Sequence, residues 1–174
     1  MKNILIVTFL LYTSNLLSQE DVGHTITNDG KCISGNCTNS FGVKKYDDGT
    51  LYIGEWWDDL PSGQGTVVWS DGSIYVGGFI KGVYQGEGTF MGNMMNKNIL
   101  YIGDFEKDIP HGFGTIFLEN GDYYVGGFEE GLFNGIGYLQ HKNTTLEEGV
   151  WENGNITGDT ILTQENYIKK GIKK

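Results

Sequence analysis

The chain has 174 residues, enough for one domain, with a net charge of -10 and 28 glycines against 2 prolines. All 12 of its basic residues are lysine, and an acidic chain without the bidentate guanidinium fork is excluded as a reader of phosphate backbones or base edges. Glycine at this level without a collagen triplet points to turns, close backbone contacts and internal repetition.

Residues 1–19 have the layout of a signal peptide: Lys2 supplies the positive start, residues 4–11 are almost wholly apolar, and cleavage is expected after Ser18 or Gln19. The apolar core is too short for a span of about 20 residues, so the expected product is exported, periplasmic or secreted. Residues 20–38 form an N-terminal segment in which Cys32 and Cys37 bracket Ile33-Ser34-Gly35-Asn36. In an oxidising compartment that spacing permits a small disulfide-closed loop. The competing reading, half of a metal site with His24, needs ligands that the neighbouring sequence does not supply.

From residue 39 onward the chain repeats. Tyr52, Tyr75, Tyr101 and Tyr124 each open a Tyr-x-Gly-x-(Trp/Phe) run, at separations of 23, 26 and 23 residues. Aromatic, glycine and aromatic at alternate positions give a period of two, which predicts a strand with one ring-bearing face. The rings are Tyr52 and Trp56, Tyr75 and Phe79, Tyr101 and Phe105, and Tyr124 and Phe128, with Trp151 in a worn last copy. Their glycines are Gly54, Gly77, Gly103 and Gly126. A second strand in each unit carries Gly-x-Gly: Gly63 and Gly65, Gly86 and Gly88, Gly112 and Gly114, Gly135 and Gly137. Glycines two apart share a strand face, so these are expected to let neighbouring rings lie over the backbone.

Asp48-Gly49, Asp71-Gly72 and Asn120-Gly121 supply tight turns between units. A half repeat at 39–51 is expected to close the N-terminal edge, followed by repeats 52–74, 75–100, 101–123 and 124–146, a degenerate unit 147–160, and a lysine-rich tail 161–174. The second repeat carries a three-residue insertion within 92–98, where Met94, Met95 and Asn96 replace the turn dipeptide. That predicts a bulged or longer loop, with the methionines as packing filler. The fold expected is all-β: an elongated, single-layer antiparallel meander of hairpins, capped by partial units.

No Ser-His-Asp arrangement, zinc motif or phosphate-cradling loop can be assembled, so no enzyme activity, catalytic residue, metal or cofactor is expected. His111 fills the slot of Ser62, Gln85 and Asn134, and His24 and His141 read as isolated. Asp47, Asp48, Asp58, Asp59, Asp71, Asp108 and Asp122 read as turn residues, without the alternating carboxylates of a calcium loop. The aromatic stripe is the candidate binding feature. It fits the repeat's own packing, and also exposed rings that accept an apolar peptide, a glycan or another array.

The pattern Tyr-x-Gly-x-(Trp/Phe), a loop, Gly-x-Gly-Thr and an Asp-Gly turn, over about residues 39–160, resembles the MORN repeat (membrane occupation and recognition nexus). The lead-in Cys32 to Cys37 is similar to that of exported bacterial MORN proteins, which implies a Gram-negative setting. The resemblance implies an interaction module, since family members occur as scaffolds, dimerising arrays or appendages to catalytic domains. The expected function is a non-enzymatic scaffold with a protein partner, self-association included. A membrane-surface or phospholipid-binding module is the alternative the resemblance implies, although an acidic array without arginine is a poor match for anionic lipid. Lys169, Lys170, Lys173 and Lys174 read as a solvated tail. A binding accessory to a cell-envelope enzyme is a third expectation.

Overall fold

Alternating rings and glycines place every large side chain of a repeat on one side of the backbone, and the computed structural model, which describes residues 29–94 and 97–159, forms a single 12-stranded antiparallel sheet. The strands are β1 (Gly30–Gly35), β2 (Phe41–Tyr46), β3 (Leu51–Trp57), β4 (Leu60–Val68), β5 (Ile74–Ile80) and β6 (Val83–Met94). They continue as β7 (Lys97–Glu106), β8 (Ile109–Leu118), β9 (Tyr123–Glu129), β10 (Leu132–Gln140), β11 (Leu146–Glu152) and β12 (Asn155–Asp159). Sheet order equals chain order, so the meander of hairpins is as expected. The expected signal segment 1–19, His24 and the tail 161–174 lie outside the described residues.

The core is a chain of rings. Trp56 meets Tyr52 edge to face at 4.8 Å, Tyr52 meets Phe79 at 5.1 Å, and Phe79 meets Tyr75 at 5.3 Å. The contacts continue through Tyr75 to Phe105 at 5.1 Å, Tyr101 at 5.0 Å, Phe128 at 5.1 Å, Tyr124 at 5.4 Å and Trp151 at 5.3 Å. Each such pair is worth about 0.5–1.5 kcal/mol beyond its burial. Tryptophan terminates both ends, and its indole N–H donates to the carbonyl of Gly42 (Trp56, 3.3 Å) or Gly137 (Trp151, 3.1 Å).

The two glycines of Gly-x-Gly have different tasks, which corrects the expectation that both sit under rings. Gly88 lies beneath Tyr75: a Cβ there would come within 2.6 Å of the phenol oxygen and 2.7 Å of the ring. Gly86 has a φ of +75° and open space around its Cα. It belongs to a bulge, because Gly77 pairs with Gly88 while Phe79 pairs with Tyr84, leaving 85–87 opposite Gly78 alone. The same bulge recurs opposite Glu55, Asp104 and Gly127. The leading tyrosine hydroxyl donates to the carbonyl of that lone residue, as Tyr52 does to Glu55 at 2.8 Å and Tyr75 to Gly78 at 3.1 Å. It thereby gives a partner to a group the irregular ladder would strand.

Beyond the bulge each hairpin ends in a two-residue turn, at Asp58-Asp59, Lys81-Gly82, Lys107-Asp108, Glu130-Gly131 and Asn153-Gly154, with positive φ at both residues. These are the primed turns that match strand twist. The second turn residue donates its N–H to the preceding repeat: Gly82 to Pro61 at 2.8 Å, Asp108 to Tyr84 at 3.2 Å, Gly131 to Pro110 at 2.9 Å and Gly154 to Phe133 at 2.9 Å. The Asp-Gly turns at the opposite ends are longer than a dipeptide turn. Tyr46 N–H bonds Thr50 O across a three-residue loop, and Asp48 accepts from the Thr50 N–H at 2.8 Å.

Two boundaries also move. The N-terminal edge is β1 and not the half repeat: Gly30 to Cys32 pair with Tyr46 to Lys44, and Cys32 is disulfide-bonded to Cys37 with Cα atoms 5.9 Å apart. The insertion lengthens its hairpin instead of forming a bulge or loop, since pairing continues through Gly92↔Ile99 and Asn93↔Asn98 to Met94↔Lys97. Three extra residues convert a three-residue loop into two more cross-strand pairs and a shorter connection. The side chains of Met94 and Met95 lie outside the described residues.

The two glycine roles separate by mutation. Gly86→Ala is expected to cost about 1–2 kcal/mol, the left-handed penalty alone, whereas Gly88→Ala forces a methyl into the Tyr75 ring and costs about 3 kcal/mol or more. Tyr75→Phe, which strands the Gly78 carbonyl, is expected to cost about 1–2 kcal/mol. Urea unfolding followed by tryptophan fluorescence ranks the three.

Candidate interaction surface

The nine stripe rings Tyr52, Trp56, Tyr75, Phe79, Tyr101, Phe105, Tyr124, Phe128 and Trp151 are all buried, none more than 5% exposed. The stripe is the core and offers no ring face to a peptide or glycan. Burial also pushes the phenols of Tyr52, Tyr75, Tyr101 and Tyr124 above their ordinary value. They stay protonated as the hydrogen-bond donors the fold requires.

The accessible apolar surface lies on the other side of the strands. The residue after each leading tyrosine points there, and strand register lines these positions into a row: Val43, Ile53, Thr66, Val76, Thr89 and Ile102 are successive partners. The row continues through Thr115, Val125 and Tyr138 to Glu148. Two residues further along the same face runs a second row. It begins with Lys31, Lys45, Leu51, Val68 and Ile74, and continues through Met91, Leu100, Phe117, Tyr123 and Gln140 to Leu146.

Ile53, Val76, Ile102, Met91, Phe117 and Leu146 are all more than a third exposed, with Met91 at 51%. Toward the C-terminal half the rows carry their own aromatic group, Phe117 against Tyr123 at 5.7 Å and Tyr123 against Tyr138 at 6.2 Å. At the N-terminal corner, Phe41 and the 69%-exposed Trp57 line a shallow groove with Ser40, Glu55, Trp56, Ser62 and Gly63. Glu55 is turned inward in part, since its carboxylate accepts from the Gln64 N–H at 3.2 Å.

Among the described residues the ionisable groups do not converge on a cleft. Among the described residues no cluster of three or more His, Cys, Asp or Glu could hold a metal ion. His111 lies 3.5 Å from Glu106 on the surface. His141 is not isolated, contrary to the sequence reading: its Nδ1 is 3.0 Å from Asp122 and its Nε2 3.1 Å from Glu147, the residue that replaces the leading tyrosine in the last repeat. Asp122 also accepts from the Lys142 N–H at 2.8 Å and from Asn120 at 3.0 Å. Only a contact across two turns, invisible in linear spacing, joins these groups.

Burial opposes charging of both partners, and for both it is outweighed. Hydrogen bonds to Asp122 and Glu147, with their charges, raise the imidazole pKa, and the bonds from Lys142, His141 and Asn120 lower that of Asp122. A raised histidine pKa adds stability below the ordinary imidazole value that is lost as pH rises through the folded one. A depressed carboxylate adds stability that is lost as pH falls through its own folded value. The C-terminal repeats are therefore expected to be most stable in mildly acidic solution. NMR titration is expected to place the His141 pKa above the ordinary imidazole value. His141→Gln is expected to remove the loss of stability between mildly acidic and alkaline pH.

A family model described as the MORN repeat matches residues 52–74, 75–94, 101–123 and 124–144. Comparison with curated proteins finds no match. Repeats of this family are commonly protein- or membrane-interaction modules, in keeping with a sheet whose rings are spent on its own core and whose other face is uncovered among the described residues. With half its length matched in four consecutive copies, the chain belongs to the MORN repeat family.

Proposed function

We propose that the protein is a non-enzymatic scaffold that binds protein through the two apolar rows on the face opposite its ring core, in the cell envelope or outside the cell after loss of residues 1–19. The observation that carries this reading is the exposure of Val76, Ile102, Met91 and Phe117 in one contiguous band while every stripe ring is buried. Soluble proteins leave single apolar residues exposed freely but seldom a continuous band of them. The signal-like N-terminus and the Cys32–Cys37 disulfide support an oxidising location.

A lipid surface fits these rows less well. Only Lys31 and Lys45 place cations in them among the described residues, and both lie at one end. Binding to an anionic leaflet gains about 1 kcal/mol per basic residue near the surface, which two lysines at one end of a chain of net charge -10 cannot turn into firm attachment.

A photoreactive benzoylphenylalanine at position 76, on the row, is expected to cross-link to protein in the native host. The same group at position 81, in an exposed turn away from the row, is expected to give no such adduct. Adducts with lipid alone, or equal labelling from both positions, would count against the protein-binding reading.

A further inference from the structure

We propose that the groove between Phe41 and Trp57 is a binding site for a primary ammonium group, the side chain of a lysine on a partner polypeptide. The groove lies beside the apolar rows and stands or falls independently of what covers them.

Trp57 is the residue that packing does not explain. At 69% exposure it is the most exposed large apolar side chain among the described residues, and Phe41 is 59% exposed. Neither belongs to the ring core. The repeat does not require an aromatic at this position, since Ile80, Glu106, Glu129 and Glu152 fill it in later units. An indole held in water on a rigid strand leaves its π face free for a ligand.

Strand register sets the walls. Glu55 and Trp57 are alternate residues of β3 and share the open face, while Phe41 is the direct cross-strand partner of Glu55. Phe41 and Trp57 are therefore diagonal neighbours, about 7–8 Å apart. That separation suits an alkyl chain touching a ring on each side at about 3.5–4 Å. Both walls are anchored. The Trp56 N–H bonds Ser40 O at 2.8 Å, the Thr38 hydroxyl donates to Asp59 at 2.8 Å, and the Asp58 N–H donates to Asn39 at 2.9 Å. The Cys32–Cys37 disulfide ties the same loop to β1, so little ordering is left for binding to supply.

Charge selects the ligand. Glu55 Oε1 accepts from the Gln64 N–H at 3.2 Å, which orients the carboxylate and leaves Oε2 above Gly63. Ser62 Oγ accepts from the Lys81 N–H at 3.3 Å and keeps a second lone pair, and Ser40 brings another hydroxyl to the lining. Asp58 and Asp59 in the adjoining tip turn raise the carboxylates to three, against Lys81 as the nearby cation. Acceptors set between two ring faces fit a cation that carries its own donors on an apolar stem. One free carboxylate oxygen suits a compact ammonium, whereas a planar guanidinium is best matched by two.

The chain carries this carboxylate twice but the flanking rings once. Asp104 is oriented in the same way, accepting from the Phe113 N–H at 3.2 Å. Its cross-strand partner, however, is Glu87, and Glu106 stands where Trp57 does. The pair of sites therefore separates recognition of a lysine side chain from plain attraction to acidic residues.

The test is a titration of the 15N-labelled protein, disulfide intact, with N-acetyl-lysine methylamide, its norleucine counterpart and ethanolamine. The lysine compound is expected to shift the Trp57 indole N–H and the Gln64 amide saturably, with half-saturation at about 10 mM. The Phe113 amide beside Asp104 is expected to stay in place. Trp57→Ala, followed at Gln64, and Glu55→Gln, followed at the indole, are each expected to weaken binding at least about threefold. Glutamine still offers an oxygen to the Gln64 N–H, so the remaining amide spectrum is expected to be unchanged.

No saturable shift up to about 100 mM would overturn the proposal. So would equal shifts from the norleucine compound, which would make the groove merely apolar, or an equal shift at Phe113, which would reduce the effect to acidic charge. Ethanolamine binding within roughly twofold of the lysine compound would show that the stem is not read and would overturn the assignment to a polypeptide. None of these outcomes bears on cross-linking from position 76, which tests the scaffold reading separately.

Discussion

The approach of a tyrosine ring to a pair of cross-strand glycines is the contact on which the rest of the array depends. Gly77 and Gly88 are direct partners in the ladder, and Tyr75 lies over both because neither has a Cβ. Once the ring is down, its hydroxyl reaches the Gly78 carbonyl three residues on, and that carbonyl sits opposite the bulge. The bulge re-aims the end of the hairpin, and the primed turn at its tip bonds back to the repeat before. Phe79 and Phe105 then close on the two edges of the same ring. A conventional layered core needs a second sheet or a helix; here one face of one sheet makes its own core from aromatic edges and backbone.

The repeat, its strands and the common face of its rings were legible because their signals are local: a period of two, a fixed spacing, glycine between aromatics. The division of labour within Gly-x-Gly was not, because glycine reads the same whether it is needed for room, as at Gly88, or for a left-handed φ, as at Gly86. The tip turns read only as loops in the sequence: Asp58-Asp59 and Lys107-Asp108 lack the glycine that usually announces a primed turn, although Lys81-Gly82, Glu130-Gly131 and Asn153-Gly154 carry it. A visible signal was missed as well: Pro61 and Pro110 alternate with Tyr84 and Phe133 at one slot, and Glu55 and Asp104 with Gly78 and Gly127 at another. Where the aromatic stands, it stacks flat on the leading tyrosine, at 3.9 Å for Tyr84 on Tyr75 and 3.8 Å for Phe133 on Tyr124. The structural period is thus two repeats.

The candidate surface was half legible. The alternate positions Ile53, Val76, Ile102 and Val125 announced an apolar character on the second face, but both faces carried apolar residues and the strand pattern alone could not say which was wet. The interleaved threonines and the second row are products of register across many strands. The ring stripe drew attention as a binding feature because aromatics do so in general. In a sheet with nothing packed on it among the described residues, those rings are already committed to one another, and the residues left for a partner are the plainer ones behind them.

The backward-reaching tip bond gives the array a direction in time. Each turn N–H finds its acceptor in the repeat already made, with Gly82 to Pro61, Gly131 to Pro110 and Gly154 to Phe133 each spanning only 21 positions. Strand pairing is confined to sequence neighbours as well, so among the described residues no strand waits for a distant partner and the loop-closure entropy of each step stays small. A chain emerging from its N-terminus can therefore lock each hairpin as soon as it appears, starting from the disulfide-bonded edge at Cys32 and Cys37 and finishing at Trp151. Growth of the fold can keep pace with growth of the polypeptide.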